Sequence, residues 1–326
     1  MRIVLLLSLL LSALAASADT LLVANRGGST ITLIDPASMT SLGTVTVGTD
    51  PHEIAVSPDG ARAYVSNYGG QQGTTISIVD VASRTKIKDV PIAPLRGAHG
   101  ILFNSGKVWF TSETTQQVGR YDPAADKVDW SGSTTQTGAH MLAVKSDGSM
   151  VYTANIGSGS ASIINVAAGT TKVVPATTQV EGIALSPDER ELWVGSRAAG
   201  GIAIIDLATE TRVATISSGL PAYRLVFSPD GKFVLAPRGP QVVVYDAATR
   251  EQVRAIDVEG LPLSIIFSRD ATLIYVAAAN PHRVYKIELA SGKTLGSADV
   301  APVPDGLALA AEPVPPGKKR RAVKKG

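Results

Sequence analysis

The chain has 326 residues, 44% of them hydrophobic and 5% aromatic, and no cysteine. That excludes disulfides, thiolate metal sites, lipid-anchored cysteine and covalent c-type haem. Of the 30 Lys and Arg, one is Arg2 and six follow residue 317; residues 19–312 carry 23 basic against 28 acidic residues. The positive balance therefore belongs to the tail and not to a nucleic-acid-binding face.

Taken in order, the chain opens with Arg2, an apolar run from Ile3 to Leu14, and Ala16-Ser17-Ala18 before Asp19. This is the pattern of a cleaved export signal over residues 1–18. The run is shorter than the roughly 18–20 apolar residues of a membrane span, and nothing later approaches that length. The expectation is a periplasmic or extracellular protein with no transmembrane segment, in which residues 19–312 form one domain and the protein is a monomer.

From Asp19 onward the text repeats. A hydrophobic residue opening a strand recurs at Ile54, Ile101, Leu142, Ile183, Leu225, Ile265 and Leu307, at intervals of 40 to 47 residues. A residue closing a later strand recurs in step at Asp35, Asp80, Asp122, Asn165, Asp206, Asp246 and Glu288. Within a unit, Ile54-Ala55-Val56 leads into the turn Ser57-Pro58-Asp59-Gly60, then Ala63 to Asn67, Ile76 to Asp80 and a weaker strand from Thr85 to Val90. β-branched residues alternate with small or polar ones between turn clusters, and no stretch keeps a helical period. Four short strands per unit, seven times over, predict an all-β, seven-bladed β-propeller of four-stranded blades. The first unit lacks its first strand, and Asp305 to Ala310 is a first strand with nothing after it. The C-terminal strand is therefore expected to complete the first blade, which removes two open edges.

Ala63-Tyr64-Val65-Ser66-Asn67, Val151-Tyr152-Thr153-Ala154-Asn155 and the Ser-Pro-Asp-Gly turns at 57–60 and 228–231 resemble the YVTN-type propeller repeat, including exported YncE-like proteins. The resemblance covers residues 20–311 and departs at Ser112, Ser196, Pro237 and Ala278, which replace the Asn. It implies the propeller fold and export; its members include surface proteins, relatives of haem d1 propellers and lactonase-like enzymes. Fold alone does not carry function. Residues 313–326, with Pro313, Pro315, Pro316 and a basic cluster, cannot build a core and are expected to be a disordered tail. The tail is either solubilising or drawn to an anionic envelope surface.

In a propeller the first strand of each blade lines the central channel, and antiparallel order puts its start beside the end of the second strand. The residues two before each opening marker therefore form a ring at one mouth: His52, His99, His140, Glu181, Tyr223, Leu263 and Asp305. Three of the chain's four histidines occupy this position in consecutive units. One reading is a divalent metal (Zn, Cu, Fe, Ni or Mn) on His52, His99, His140 and Glu181, with an open position for water. A second is a metal-free polar mouth holding a small anion. A third is that these residues cap strand entries and bind nothing. The second-strand exits add Arg26, Asn67, Tyr68, Glu113, Asn155, Arg197 and Arg238 as candidate ligand-binding groups, with Tyr223 from the ring.

The functional expectation is a protein that binds a small molecule or a protein partner at this mouth. The alternative is a metal-dependent lactonase- or lyase-like enzyme in which Glu181 or Asp305 moves the proton. A redox accessory propeller beside a haem or copper protein is a third. Tyr64, Trp109, Tyr152, Trp193 and Tyr275 share one repeat position and read as blade-to-blade packing. His282, after Asn280-Pro281, reads as an exposed turn residue. No phosphate cradle, nucleophile elbow or nucleic-acid motif has its required context.

Overall fold

The computed structural model describes residues 19–198, 200–217 and 219–311. The expected export signal and the Pro-rich basic tail lie outside these residues. Seven antiparallel sheets of four strands follow one another along the chain as blades of one propeller. Blade one is closed as expected: its innermost strand is Pro304–Ala310, which pairs antiparallel with Thr20–Asn25 at the other end of the chain. Among the described residues, no helix is long and apolar enough to cross a membrane.

The second strand of each blade shows why the sequence takes this form. Along Thr20–Asn25, Leu21 and Val23 pack with Tyr275, Ala277 and Leu307 against blade seven. Leu22 and Ala24 pack with Ile54, Ala63 and Val65 against blade two. The two-residue period of a strand thus serves two neighbours at once, which requires a nearly continuous apolar run. The core is accordingly divided into seven clusters, one at each blade interface. Tyr64, Trp109, Tyr152, Trp193 and Tyr275 are each buried in the interface with a neighbouring blade.

At the far end of blade two's inner hairpin, Ser57 Oγ donates to Asp59 Oδ1 at 2.6 Å and Gly60 N donates to Ser57 O at 2.8 Å. Gly60 has φ +75°, the left-handed conformation that a residue without Cβ adopts at least cost.

At the channel mouth the inner strands do not start cleanly. In blades one, two, three, four, five and seven the pairing slips by one residue at the entry, between Pro304 and Leu307, Pro51 and Ile54, Ala98 and Ile101, Ala139 and Met141, Val180 and Gly182, and Pro262 and Ser264. Such bulges re-aim side chains at a sheet's rim. In blade six the regular inner strand shrinks to Val226–Phe227, and Pro221 to Leu225 run irregularly ahead of it. These irregular entries build the site.

Candidate functional site

The three ring histidines are buried and stacked in a row. The His52 and His99 rings are 4.3 Å apart at their centroids and edge-on, and His99 and His140 are 3.7 Å apart. Tyr68 closes the row from outside, 4.5 Å from His52 and 5.2 Å from His99. Hydroxyls one residue before the end of the second strands hold this backbone in place. Ser66 Oγ accepts from Glu53 N at 3.0 Å and donates to His99 O at 2.6 Å. Thr111 Oγ1 accepts from Gly100 N at 2.8 Å and donates to His140 O at 2.7 Å. Each hydroxyl thus fixes the histidine of the next blade. A Thr111→Val substitution keeps the shape and leaves two buried backbone groups without the hydroxyl. It is expected to cost about 1–3 kcal/mol in urea denaturation.

The three imidazoles differ in state. His52 Nδ1 lies 3.0 Å from the Asp50 carbonyl, which can only accept, so Nδ1 carries the proton and the lone pair is on Nε2. Burial, opposed by Asp305, lowers its pKa. Burial together with His140 and His52 holds His99 well below the ordinary imidazole range. Its Nδ1 is buried and has no hydrogen-bond partner. His140 is different: burial opposes its charge, but Glu113 and Glu181 outweigh burial and raise its pKa. Its Nδ1 is 3.0 Å from Glu113 Oε2 and its Nε2 is 3.7 Å from Glu181 Oε1.

Beside the histidines a buried arginine gathers carboxylates from three other blades. Arg224, 8% exposed, donates through Nε to Glu53 Oε1 at 3.1 Å, through Nη1 to Glu181 Oε1 at 3.3 Å and through Nη2 to Asp305 Oδ1 at 3.1 Å. Its Nη2 also donates to Glu53 Oε1. One guanidinium therefore ties blade six to blades one, two and five. Burial pushes the Glu53 carboxyl up to about 7 against the pull of Arg224. Burial would also raise Glu181, but His140, Arg224 and Arg197 bring it down to about 2. Gly306 makes room for this crossing: a Cβ there would stand 2.4 Å from His52 O and 2.6 Å from Glu53 Cα.

The sequence reading placed Tyr223 in the ring. The irregular entry of blade six brings its neighbour Arg224 there instead, and Tyr223 supplies only a carbonyl, which accepts from Arg224 Nη1 at 3.0 Å. Glu53 and Arg224 stand one position later in the repeat than the expected ring. The residues one before the opening markers are Glu53, Gly100, Met141, Gly182, Arg224, Ser264 and Gly306, with one acid and one base among them. Bulged entries let both successive positions face the mouth.

The second-strand exits separate into two groups. Asn67 Nδ2 donates to Thr75 Oγ1 at 2.9 Å and Ser77 Oγ at 3.0 Å, and Asn155 Nδ2 donates to Ser160 Oγ at 3.2 Å and Ser162 Oγ at 2.9 Å. Both side chains are buried and pin the third strand of their own blade. The last residue of blade six's second strand is Arg238, so Arg238 and not Pro237 stands where other blades have Asn. Its side chain is spent on the carbonyls of Leu220 and Pro221 and on the Tyr245 hydroxyl. These three residues are fastened inside their blades rather than facing a ligand. Arg26, Tyr68, Glu113 and Arg197 do meet the mouth. Arg26 pairs with Asp50 at 3.2 Å and Asp305 at 3.6 Å, and Arg197 lies 3.4 Å from Glu181.

Among the described residues, His99, Glu113 and His140 are the group whose donor atoms lie within 4.8 Å of one another, close enough to hold a metal ion. His52 is stacked beside the group, and Glu181 sits on the far nitrogen of His140. Glu181 and Asp305, the candidate proton carriers, are both tied to Arg224. His282 is exposed, with Nδ1 accepting from Val303 N at 3.3 Å. A cavity of about 620 Å³ between blades six and seven, lined by Phe233, Val244, Thr272 and Leu289, opens at the opposite end of the hairpins and takes no part.

Residues 153–296, from the second strand of blade four into the last strand of blade seven, match the model of the cytochrome D1 haem domain. No curated protein matches the chain. Hydrazine synthase from Kuenenia stuttgartiensis is similar in structure, with TM-score 0.72 and 19% identity, over 83% of this chain and 92% of that one. A protein of unknown function from Desulfotomaculum acetoxidans DSM 771 has TM-score 0.76 and 14% identity, over 90% of this chain and 99% of that one. At these identities the likeness shows the propeller fold.

The cytochrome D1 match raises the question of a haem. A haem iron needs an axial donor such as an imidazole, thiolate or thioether. The matched stretch contains no cysteine or methionine, and its one histidine is His282. Within the matched stretch the one such donor is therefore an exposed turn histidine, and the buried imidazoles of the mouth, in blades two, three and four, lie outside it.

Proposed function

We propose that this protein is an exported YVTN/YncE-like propeller that carries a divalent transition metal on His99, His140 and Glu113, and presents it to a small ligand at the channel mouth. One observation carries the reading. Buried His99 has a nitrogen, Nδ1, without a partner, and the same residue offers a donor atom within 4.8 Å of donors on His140 and Glu113. An unpaired buried polar atom costs about 1–3 kcal/mol, and a metal is the partner that two imidazoles and a carboxylate together suit. The electrostatics agree: Glu53, Glu113, Glu181, Asp305 and Asp50 face Arg224, Arg26 and Arg197, an excess of carboxylates that favours a cation. Zinc, copper, iron and nickel accept imidazole readily; manganese is the harder ion and suits this donor set less. Three protein donors leave open positions for a ligand. Glu181, on Nε2 of His140, would orient the ring as carboxylates commonly do behind a ligating histidine. Export rests on residues 1–18 alone.

The test is metal analysis of the untagged protein before and after chelation, in wild type and in a His99→Ala/His140→Ala double variant. About one metal per chain is expected in wild type, with at least a hundredfold loss of affinity in the variant. Stoichiometric metal kept by the variant would remove these residues as the site. A hydrolytic version of the same site is favoured by one observation: His52 is neutral with its lone pair on Nε2, a base next to the cation. Turnover of lactones or esters by the metal-loaded protein, lost in His52→Gln with metal retained, separates enzyme from binding protein.

A further inference from the structure

We propose that the metal-loaded mouth selects small carboxylate-bearing molecules, and that Arg197 is their anchor. The inference rests on the metal reading above and deepens it.

Two arginines stand on the rim, and they are not equivalent. Arg26 is bound on two sides, by Asp50 and by Asp305. Arg197 is 53% exposed and approaches one group, Glu181 Oε2, through Nε at 3.4 Å. Among the described residues, no hydrogen bond engages either of its Nη atoms. Arg224 and His140 hold the other oxygen, Oε1, at 3.3 Å and 3.7 Å, so Arg197 touches Glu181 through Nε alone and leaves its Nη end for a ligand. Arg197 is also well placed to receive a ligand. It follows directly on the second strand of blade five, Glu191–Ser196, and its backbone N donates to Gln179 O at 2.9 Å. A fixed Cα with a free guanidinium end is a built anchor rather than a wandering surface charge.

Charge decides what it anchors. Five carboxyl groups and three arginines face the mouth, so without metal it offers an anion little net attraction. A divalent cation adds positive charge there, and Arg197 is the guanidinium with an unengaged end. Two parallel N–H groups of a guanidinium match the two oxygens of a carboxylate. Glu181 is the common neighbour of Arg197 and His140, so a molecule that reaches both Arg197 and an open metal position is small. It needs a carboxylate at one end and an oxygen donor, hydroxyl or carbonyl, a few bonds away.

The experiment uses the full chain loaded with zinc, with zinc content measured first so that failure of the metal reading is seen separately. Calorimetric titration at low salt then compares lactate and 3-hydroxybutyrate with the neutral propane-1,2-diol, in wild type, Arg197→Lys and Arg197→Gln. At least one hydroxy acid is expected to bind zinc-loaded wild type about tenfold or more tighter than metal-free protein. The diol should not bind. Arg197→Gln should lose about tenfold or more with zinc retained, and Arg197→Lys should recover only part, since a lysine cannot pair both oxygens. Equal affinity in Arg197→Gln with zinc in place would overturn the proposal. So would binding indifferent to zinc, or no binding of either acid to zinc-loaded wild type.

Discussion

Arg224→Met is expected to destabilise the propeller by about 3–5 kcal/mol, read as a fall in the urea midpoint at unchanged slope. The methionine fills much of the same space, so the loss is electrostatic rather than a cavity. Glu53, Glu181 and Asp305 are each within hydrogen-bonding reach of the guanidinium, and all three are buried. Removing the cation takes the one ion-pair partner from Glu53 and leaves Asp305 with Arg26 and Glu181 with His140 and Arg197. Breaking a buried pair from one side is the costly direction. The position multiplies the effect. Asp305 lies on the closing strand Pro304–Ala310, so the same guanidinium that balances the channel also ties the ring's seam to blades two, five and six. Adding Glu53→Gln and Asp305→Asn to Arg224→Met is expected to recover most of the loss, because neutral amides need no counter-ion. A cost below about 1 kcal/mol for Arg224→Met would show that water already screens the channel.

The same channel shows where reading a sequence by its repeats succeeds and where it stops. Blade number, strand order and closure were legible because each depends on a pattern repeated seven times. The row of His52, His99 and His140 was legible for the same reason. What single positions do within a repeat was not. Asn67 and Asn155 do end their strands at the mouth, but their amides turn back to hydroxyls of the third strand, a choice made by Thr75, Ser77, Ser160 and Ser162 that no spacing reveals. Arg238 takes over that position with a different set of partners. Arg224 escaped because blade six enters its inner strand irregularly after Pro221, which shifts the inward-facing position by one residue. The bulge at His52-Glu53 had the same consequence, placing two successive side chains at the mouth where strand alternation allows one. Departures from the repeat are thus where the site's charges were found.

His99→Phe offers a measurement in which stability and binding should move in opposite directions. The phenyl ring keeps the stack between His52 and His140 and removes the nitrogens. Without metal, His99 Nδ1 is a buried polar atom with no partner, a deficit of about 1–3 kcal/mol that the phenyl does not incur. The metal-free variant is therefore expected to be more stable than metal-free wild type by about 1 kcal/mol, after allowance for the slightly larger ring. Metal reverses the order. A ligand that binds only the folded chain stabilises it by roughly 4 kcal/mol at a thousandfold excess over its Kd. Wild type should gain that amount with zinc, whereas His99→Phe, lacking one of three donors, should gain little at the same concentration. A residue that costs stability until its partner arrives is the pattern of a functional site rather than of a strand cap. If His99→Phe is less stable than wild type both with and without zinc, the buried nitrogen is already satisfied and His99 serves the fold alone.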